Sequence, residues 1–415
     1  MHTTFLALAD LDYPKDRYEV VAIPNDYDTE TVASLKRLQE QFPFVKLLEI
    51  PPTSHPSWDV VWRAWDNCSK AYWWHGGKRA GIRDLPPKKT RQLIYAFYHR
   101  ALAAADGEDF LVNYIDADSA PPKDHFLAAA YGMEQYDVLQ ATNIAGNLLK
   151  SIPASFHAFD HMAWDGLKYP HLSANGKHPY WVLGKGLFFK ASDLVELGGF
   201  HPWITIEDPE VGMRFWKNGR RLGIIEQPLI EEVPETFAVG IKQRKRWVAG
   251  FWQSLTGPLN AMGFTRREKL LARLNFYPCL SLSLNALGFP VSVWTFSMWL
   301  LGPVWLPKWT LVLAALNALS FVTLLSAQYW STWRRSRLVL SRRRDRLAYL
   351  LRVNPLMLWL WWLIWLVPLW IGWRMYRMDG GLVWERTDKI DANAELVRHS
   401  ITNEAAPSGD FSVPQ

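Results

Sequence analysis

The sequence predicts an α/β domain with a mostly parallel sheet, followed by C-terminal transmembrane helices. Three observations carry this. Short apolar runs alternate with helical patterns in the first half of the chain. Charge vanishes from three long stretches after residue 270. Tryptophan is abundant, at 24 residues, which suits the aromatic belts of a membrane protein better than a soluble enzyme.

Residues 1–11 read as the tail of a helix. Tyr18 to Ile23 is a short apolar strand, followed by a polar turn from Pro24 to Asp28 and a helix from about Thr29 to Gln41. Val45 to Ile50 is a second strand. Residues 52–88 interrupt the alternation with Trp58, Trp62, Trp65, Trp73, Trp74 and a Gly-Gly-Lys-Arg turn, and read as an insertion with a core or membrane-surface role. Lys89 to Ala105 has the spacing of an amphipathic helix. Phe110 to Ile115 reads as a buried strand running into Asp116-Ala117-Asp118.

No charge occurs from Asn275 to Pro307, from Trp309 to Trp333, or from Val353 to Trp373. A crossing needs about 20 apolar residues, so each stretch is long enough. The expected division is a domain over 1–260, a membrane region over 261–378 with apolar segments at about 275–305, 309–333 and 353–373, and a loose polar tail over 379–415.

The formal charge is +6, unevenly spread, with seven arginines between Arg334 and Arg346. Dense positive charge beside apolar segments points to anionic membrane lipids, and no nucleic-acid motif is present. Cys68 and Cys279 are far apart and form no metal pattern, so they read as packing residues. Phe5 to Ala9 is too short for the apolar core of a signal peptide, and no basic region precedes it.

Three groups of residues carry chemistry. Asp116 and Asp118 leave a strand at i and i+2, where two carboxylates can share a hard cation such as Mg²⁺ or Mn²⁺. Alone, such a pair is equally a solvated turn. Glu207-Asp208 stands before a helix starting near Pro209, where acidic residues also serve as caps. Gln243, Arg246 and Trp247 fall at i, i+3 and i+4, which puts an amide, a guanidinium and an indole on one helix face. That face can hold a diphosphate and stack a sugar, or simply form a basic interfacial helix.

Taken in order, these groups and the apolar segments resemble the family 2 glycosyltransferases, in particular their cellulose-synthase-like membrane branch. The resemblance covers roughly residues 5–387. Gly184-Lys185-Gly186 is similar to the family's acceptor-side glycine loop, and Lys88 to Leu93 to its lysine segment, although Ile94 replaces the usual Asn. Trp384-Glu385-Arg386-Thr387 resembles the motif that follows the last span. The resemblance implies a GT-A nucleotide-sugar domain. It implies Asp208 as general base with Glu207 beside it, and Asp116 and Asp118 at the metal. It places Asn25, Asp26, Asp28, Lys89, Asp116 and Arg246 on the donor side, and Gly184, Gly186, Gln243 and Trp247 on the acceptor side. The implied reaction is an inverting transfer from a nucleotide-diphosphate sugar to a glycan or lipid acceptor, in polysaccharide or glycolipid synthesis. The protein partners are unknown.

The family's first strand should precede residue 5, so Tyr18–Ile23 is expected beside a vacancy or an open edge, as in a truncated chain. An inactive membrane protein derived from such an enzyme is the alternative. A transporter is disfavoured, because the apolar stretches lack ionisable residues. The arginine block is expected to be cytoplasmic, with the catalytic domain on the cytoplasmic face of a multi-pass plasma-membrane protein. Pro355 and Pro368 can break the third stretch into a re-entrant or interfacial element.

Overall fold

Apolar runs make the strands, and the polar turns between them start the crossover helices. The computed structural model describes residues 1–103, 109–173, 176–276, 278–302, 306–379 and 393–402. The chain begins with α1 (His2–Ala9), β1 (Val20–Ala22), α2 (Thr29–Gln41) and β2 (Val45–Leu47). β1 and β2 pair in parallel, Val20 opposite Val45 and Ala22 opposite Leu47. Asp28 caps α2, accepting from Thr31 N at 3.2 Å and Thr31 Oγ1 at 2.8 Å. Phe5, Leu8, Leu35, Phe42 and Val45 close one apolar cluster under this unit. Among the described residues, β1 has a strand partner on one side, β2, so the edge expected at Tyr18–Ile23 is present.

Helices α3 (Asp59–Asp66), α4 (Tyr72–His75) and α5 (Lys89–Ala101) follow. Trp58, Trp62, Trp65, Trp73 and Trp74 are all buried. Trp62 lies 5.5 Å from Trp74 with their planes 6° apart, and 5.4 Å from Trp58. Of the two roles left open for the Trp-rich segment, it takes the core one.

The next elements are β3 (Leu111–Tyr114), α6 (His125–Gly132), β4 (Val138–Ala145), α7 (Ile152–Ala163), α8 (Tyr169–Ser173), β5 (Leu187–Lys190), α9 (Ala191–Glu196), α10 (Asp208–Lys217) and β6 (Leu222–Glu231). The four strands form a second sheet in the order β3-β5-β4-β6. Every residue of β4, one of its two inner strands, is buried. β3 is the edge, so Leu111 remains 39% exposed rather than buried as expected. The α/β class is as expected, but parallel pairing does not dominate. β4–β6 is parallel, whereas β5 runs antiparallel to both β3 and β4. The cause is local. The 184–186 loop delivers the chain to Leu187 opposite Tyr114, at the end where β3 finishes, so β5 must run back.

The chain continues through α11 (Phe237–Ser254), α12 (Gly257–Ala261), α13 (Arg266–Phe276), α14 (Pro278–Leu301), α15 (Lys308–Arg335), α16 (Arg343–Arg352), α17 (Pro355–Ile364), α18 (Leu366–Asp379) and α19 (Ala394–Thr402). Three stretches, Ser283–Leu301, Lys308–Leu338 and Pro355–Met378, are long and apolar enough to cross a membrane. The first two expose Leu287, Val291, Trp294, Leu316 and Leu319, as lipid-facing helices do. The third breaks at Trp365. Pro355 opens α17 and Pro368 lies in the first turn of α18, where a missing N–H is tolerated. α17 stays with α14, where Trp359 Nε1 donates to Ala286 O at 2.8 Å. α18 instead returns to α11, so closely that a Cβ on Gly372 would stand 2.6 Å from Lys245 O.

The tail is not wholly loose. Ala394 and Val397 recur at helical spacing in α19, and Val397 is buried with Ala7 and Ala120. The Trp384-Glu385-Arg386-Thr387 motif lies outside the described residues.

Candidate active site

The site forms where β3, the 184–186 loop, the start of α5 and the start of α10 meet. β3 ends at Tyr114 and releases Asp116 into the cleft. Lys89, the first residue of α5, donates to Asp116 Oδ1 at 2.5 Å and to Gly184 O at 2.6 Å. Its ammonium lies 3.9 Å from Glu207 Oε1. Thr90 Oγ1 lies 3.3 Å from Glu207 Oε2 and donates to it. Gly184 leaves room for the groups around it. A Cβ there would stand 3.3 Å from Glu207 Oε1, 3.3 Å from Lys89 Nζ and 3.6 Å from Asp208 Cγ. Lys89, Asp116, Gly184, Glu207 and Asp208, distant in sequence, thus share one cleft.

The electrostatics follow from this crowding. Burial disfavours the Lys89 ammonium, but the Asp116 and Glu207 carboxylates outweigh it and hold Lys89 above the usual lysine range. Burial and the neighbouring Glu207 push Asp208 up to about 7, against the pull of Lys89. A carboxyl poised near neutrality can exchange a proton with a hydroxyl at physiological pH. Asp208 and Glu210 also sit in the first turn of α10, so the capping position and the cleft position coincide.

Asn25, Asp26 and Asp28 lie in the turn between β1 and α2. Asp26 N bonds Ile50 O at 3.1 Å, and Asp28 serves as the α2 cap. Asn25 Oδ1 accepts from the Arg91 guanidinium, which also lies 5.7 Å over the Tyr27 ring. The exposed Tyr27 escaped the sequence reading, and Arg91 entered it only as part of the Lys88 to Leu93 segment, with no role of its own. Arg91 is two residues beyond Lys89 on α5, and that offset is the signal that could have found it.

Gly186, expected beside the acceptor, is set against the sheet. At φ +61° its Cβ position is 2.6 Å from Leu229 Cδ1 and 2.9 Å from Ala141 Cβ, so only glycine fits.

α11 is fixed to the loop before Glu207 at two points. Gln253 Oε1 accepts from Thr205 N at 2.7 Å. A Cβ on Gly250 would stand 2.2 Å from Ile206 Cγ1. Gln243, Arg246 and Trp247 are all partly buried on this helix. Trp247 lies 6.0 Å from both His161 and Trp164, in an aromatic group that reaches Trp365 of the third apolar stretch. Arg244 is the residue missed here. Fully buried, it pairs with Asp160 of α7 and lies 4.5 Å over Trp361 and 3.8 Å over Trp365. Trp361 Nε1 and Trp365 Nε1 donate to the same Asp160 Oδ2 at 2.9 and 3.0 Å.

Among the described residues no three His, Cys, Asp or Glu side chains converge as a metal cage. Asp116 is nevertheless a hard oxygen donor at the cleft, where it pairs with the Lys89 ammonium, and Asp118 follows it two residues on. They fit a hard divalent ion that draws its other ligands from phosphate and water.

The chain is similar to known proteins. The family described as glycosyl transferase family group 2 matches residues 111–375. The beta-monoglucosyldiacylglycerol synthase of Synechocystis sp. is 24% identical over 249 residues, 59% of this chain and 44% of that one. The chain therefore spans less than half the length of this curated relative. A solved mannosyltransferase from Pyrobaculum calidifontis, in complex with GDP-Man and Mn²⁺, aligns with a TM-score of 0.49 and 15% identity. That alignment covers 91% of this chain and 82% of the other.

Proposed function

The chain belongs to glycosyl transferase family group 2, and from that premise we propose that it transfers a sugar from a nucleotide-diphosphate sugar to an acceptor hydroxyl. The observation that carries the reading is the cleft of Lys89, Asp116, Gly184, Glu207 and Asp208, with Asp208 held near 7. Asp208 takes the proton of the acceptor hydroxyl as that oxygen attacks the anomeric carbon. Attack opposite the departing diphosphate inverts the configuration. Thr90 donates to Glu207, Glu207 raises the proton affinity of Asp208 beside it, and Lys89 keeps the cleft compatible with three carboxylates. Asp116 and Asp118 would hold Mg²⁺ or Mn²⁺, which neutralises the leaving diphosphate when bound. Arg91, Tyr27 and Asn25 offer a flat polar platform for the nucleotide, and Arg246 a guanidinium for its diphosphate.

The acceptor is read as a lipid presented at the cytoplasmic membrane face. The aromatic group of Trp247, Trp164 and Trp365 joins the α11 face to the third apolar stretch, where a lipid headgroup would enter. The name of the Synechocystis relative also concerns a glycolipid.

The test is turnover by membranes containing the full chain, offered a panel of nucleotide sugars with and without chelator. Metal-dependent transfer into the lipid fraction is expected, and Asp118→Ala should weaken metal-dependent donor binding. Transfer only into a water-soluble polymer would overturn the lipid acceptor. No turnover with any donor, in a folded protein, would favour a non-catalytic membrane protein.

A further inference from the structure

Lys88 and Lys89 are adjacent but differ in their partners. Lys89 points to Asp116 and Gly184. Lys88 is the capping residue of α5, is 2% exposed, and its Nζ has no hydrogen-bond partner. An ammonium carries three donors, and burying it without an acceptor is strongly unfavourable. Among the described residues, Glu207 is the carboxylate that favours it, without a hydrogen bond, and the Arg79 guanidinium opposes it. Burial and Arg79 together push Lys88 down to about 8.

The surroundings add to the positive potential. Arg79 lies 5.0 Å over the Trp203 ring, four residues before Glu207. Burial, Arg214, Lys88 and Arg79 hold the nearby His201 neutral, well below its ordinary range. No side chain caps the start of α5, so that helix end also attracts an anion. Arg79 rides on a turn between Gly77 and Gly81, both at positive φ with no atom within 4 Å of a Cβ position.

We propose that Lys88, Arg79 and the uncapped start of α5 form an anion subsite beside Glu207 and Asp208, which takes a phosphate or carboxylate group carried by the acceptor. Naming the acceptor as the source rests on the transferase reading; the subsite itself does not. Lys89 and Asp116 already occupy the side given to the donor, and Trp203 leads the chain into the Glu207–Asp208 pair. The acceptor class is then an anionic molecule, and its charge helps align the hydroxyl with Asp208.

The test uses the full chain in lipid nanodiscs, with inorganic phosphate as the probe and thermal melting as the readout. Phosphate should raise the melting temperature beyond chloride at equal ionic strength, and should still do so with nucleoside diphosphate at saturation. The apparent phosphate affinity should fall roughly tenfold or more in Lys88→Met, as expected on losing a charge-assisted contact. Arg79→Gln, on an exposed turn, gives the same reading if Lys88→Met does not fold. An unchanged phosphate response in the folded variants, or an equal effect of chloride, overturns the subsite. Loss of the response under saturating nucleoside diphosphate overturns the acceptor assignment, because the cations then serve the donor. A missing sugar-transfer activity with the phosphate response intact would instead count against the transferase reading.

Discussion

Asp208 is the residue that the proposed chemistry needs charged, and its surroundings resist that charge. An ordinary aspartate ionises near 3.9, whereas Asp208 is held at about 7. Below pH ~4 it is neutral in folded and unfolded chains alike, and its contribution to stability is fully present. As pH rises through 7 the fold must carry the anion, and that contribution is lost. Asp208→Asn should therefore melt higher than the native protein at pH 8, with a smaller gain at pH 5. The same substitution should lower transfer by about 10²–10⁴-fold with donor binding nearly intact. Native activity should fall away below pH ~7. Near-native turnover of Asp208→Asn, or a pH profile flat from 5 to 8, would remove Asp208 from its role. The acidic pairs were legible as residues because Asp116, Asp118, Glu207 and Asp208 stand at element boundaries in the sequence. Arg244 was not. Its partner Asp160 is 84 positions away, and no local spacing marks the pair.

At the scale of elements, the Asp160–Arg244 pair joins α7, α11 and α17 through one oxygen that accepts from a guanidinium and two indoles. Removing the carboxylate leaves a buried guanidinium alone. Asp160→Ala should cost about 3–5 kcal/mol. Trp365→Phe keeps an aromatic face but removes one donor and some ring volume, and should cost less, with about 1 kcal/mol of it from the lost hydrogen bond. Chemical unfolding in detergent measures both, and equal small losses would show that the pair does not hold the three helices. The helices and strands themselves were largely legible from apolar spacing, down to α2 beginning at Thr29. The direction of β5 was not, because strand polarity depends on which end of the sheet a glycine loop reaches. Nor was α19, whose few apolar residues declare themselves only against α1.

Across the whole molecule, exposed arginines gather between the second and third apolar stretches. Arg334, Arg337, Arg342, Arg343 and Arg344 are exposed, with Asp345 the one acidic residue of the block. We place this surface on the cytoplasmic side. With Cys68 and Cys279 replaced by alanine, a cysteine at exposed Ser341 should resist a membrane-impermeant maleimide applied to intact cells and react after lysis. Labelling from outside would reverse the orientation. The number of crossings was not legible in the sequence, because an uncharged stretch reads alike whether it spans or folds back onto protein.

The return of α18 to α11 also sets an order in time. Domains are generally completed as the chain leaves the ribosome, the N-terminal part first. Here the helix carrying Gln243, Arg246 and Trp247 lacks its neighbour until residues 366–379 emerge, after both earlier apolar stretches. A nascent chain stopped at residue 350 would own every carboxylate of the cleft and still leave α11 without its cover. Synthesis thus delays the finished enzyme until its long apolar helices are made.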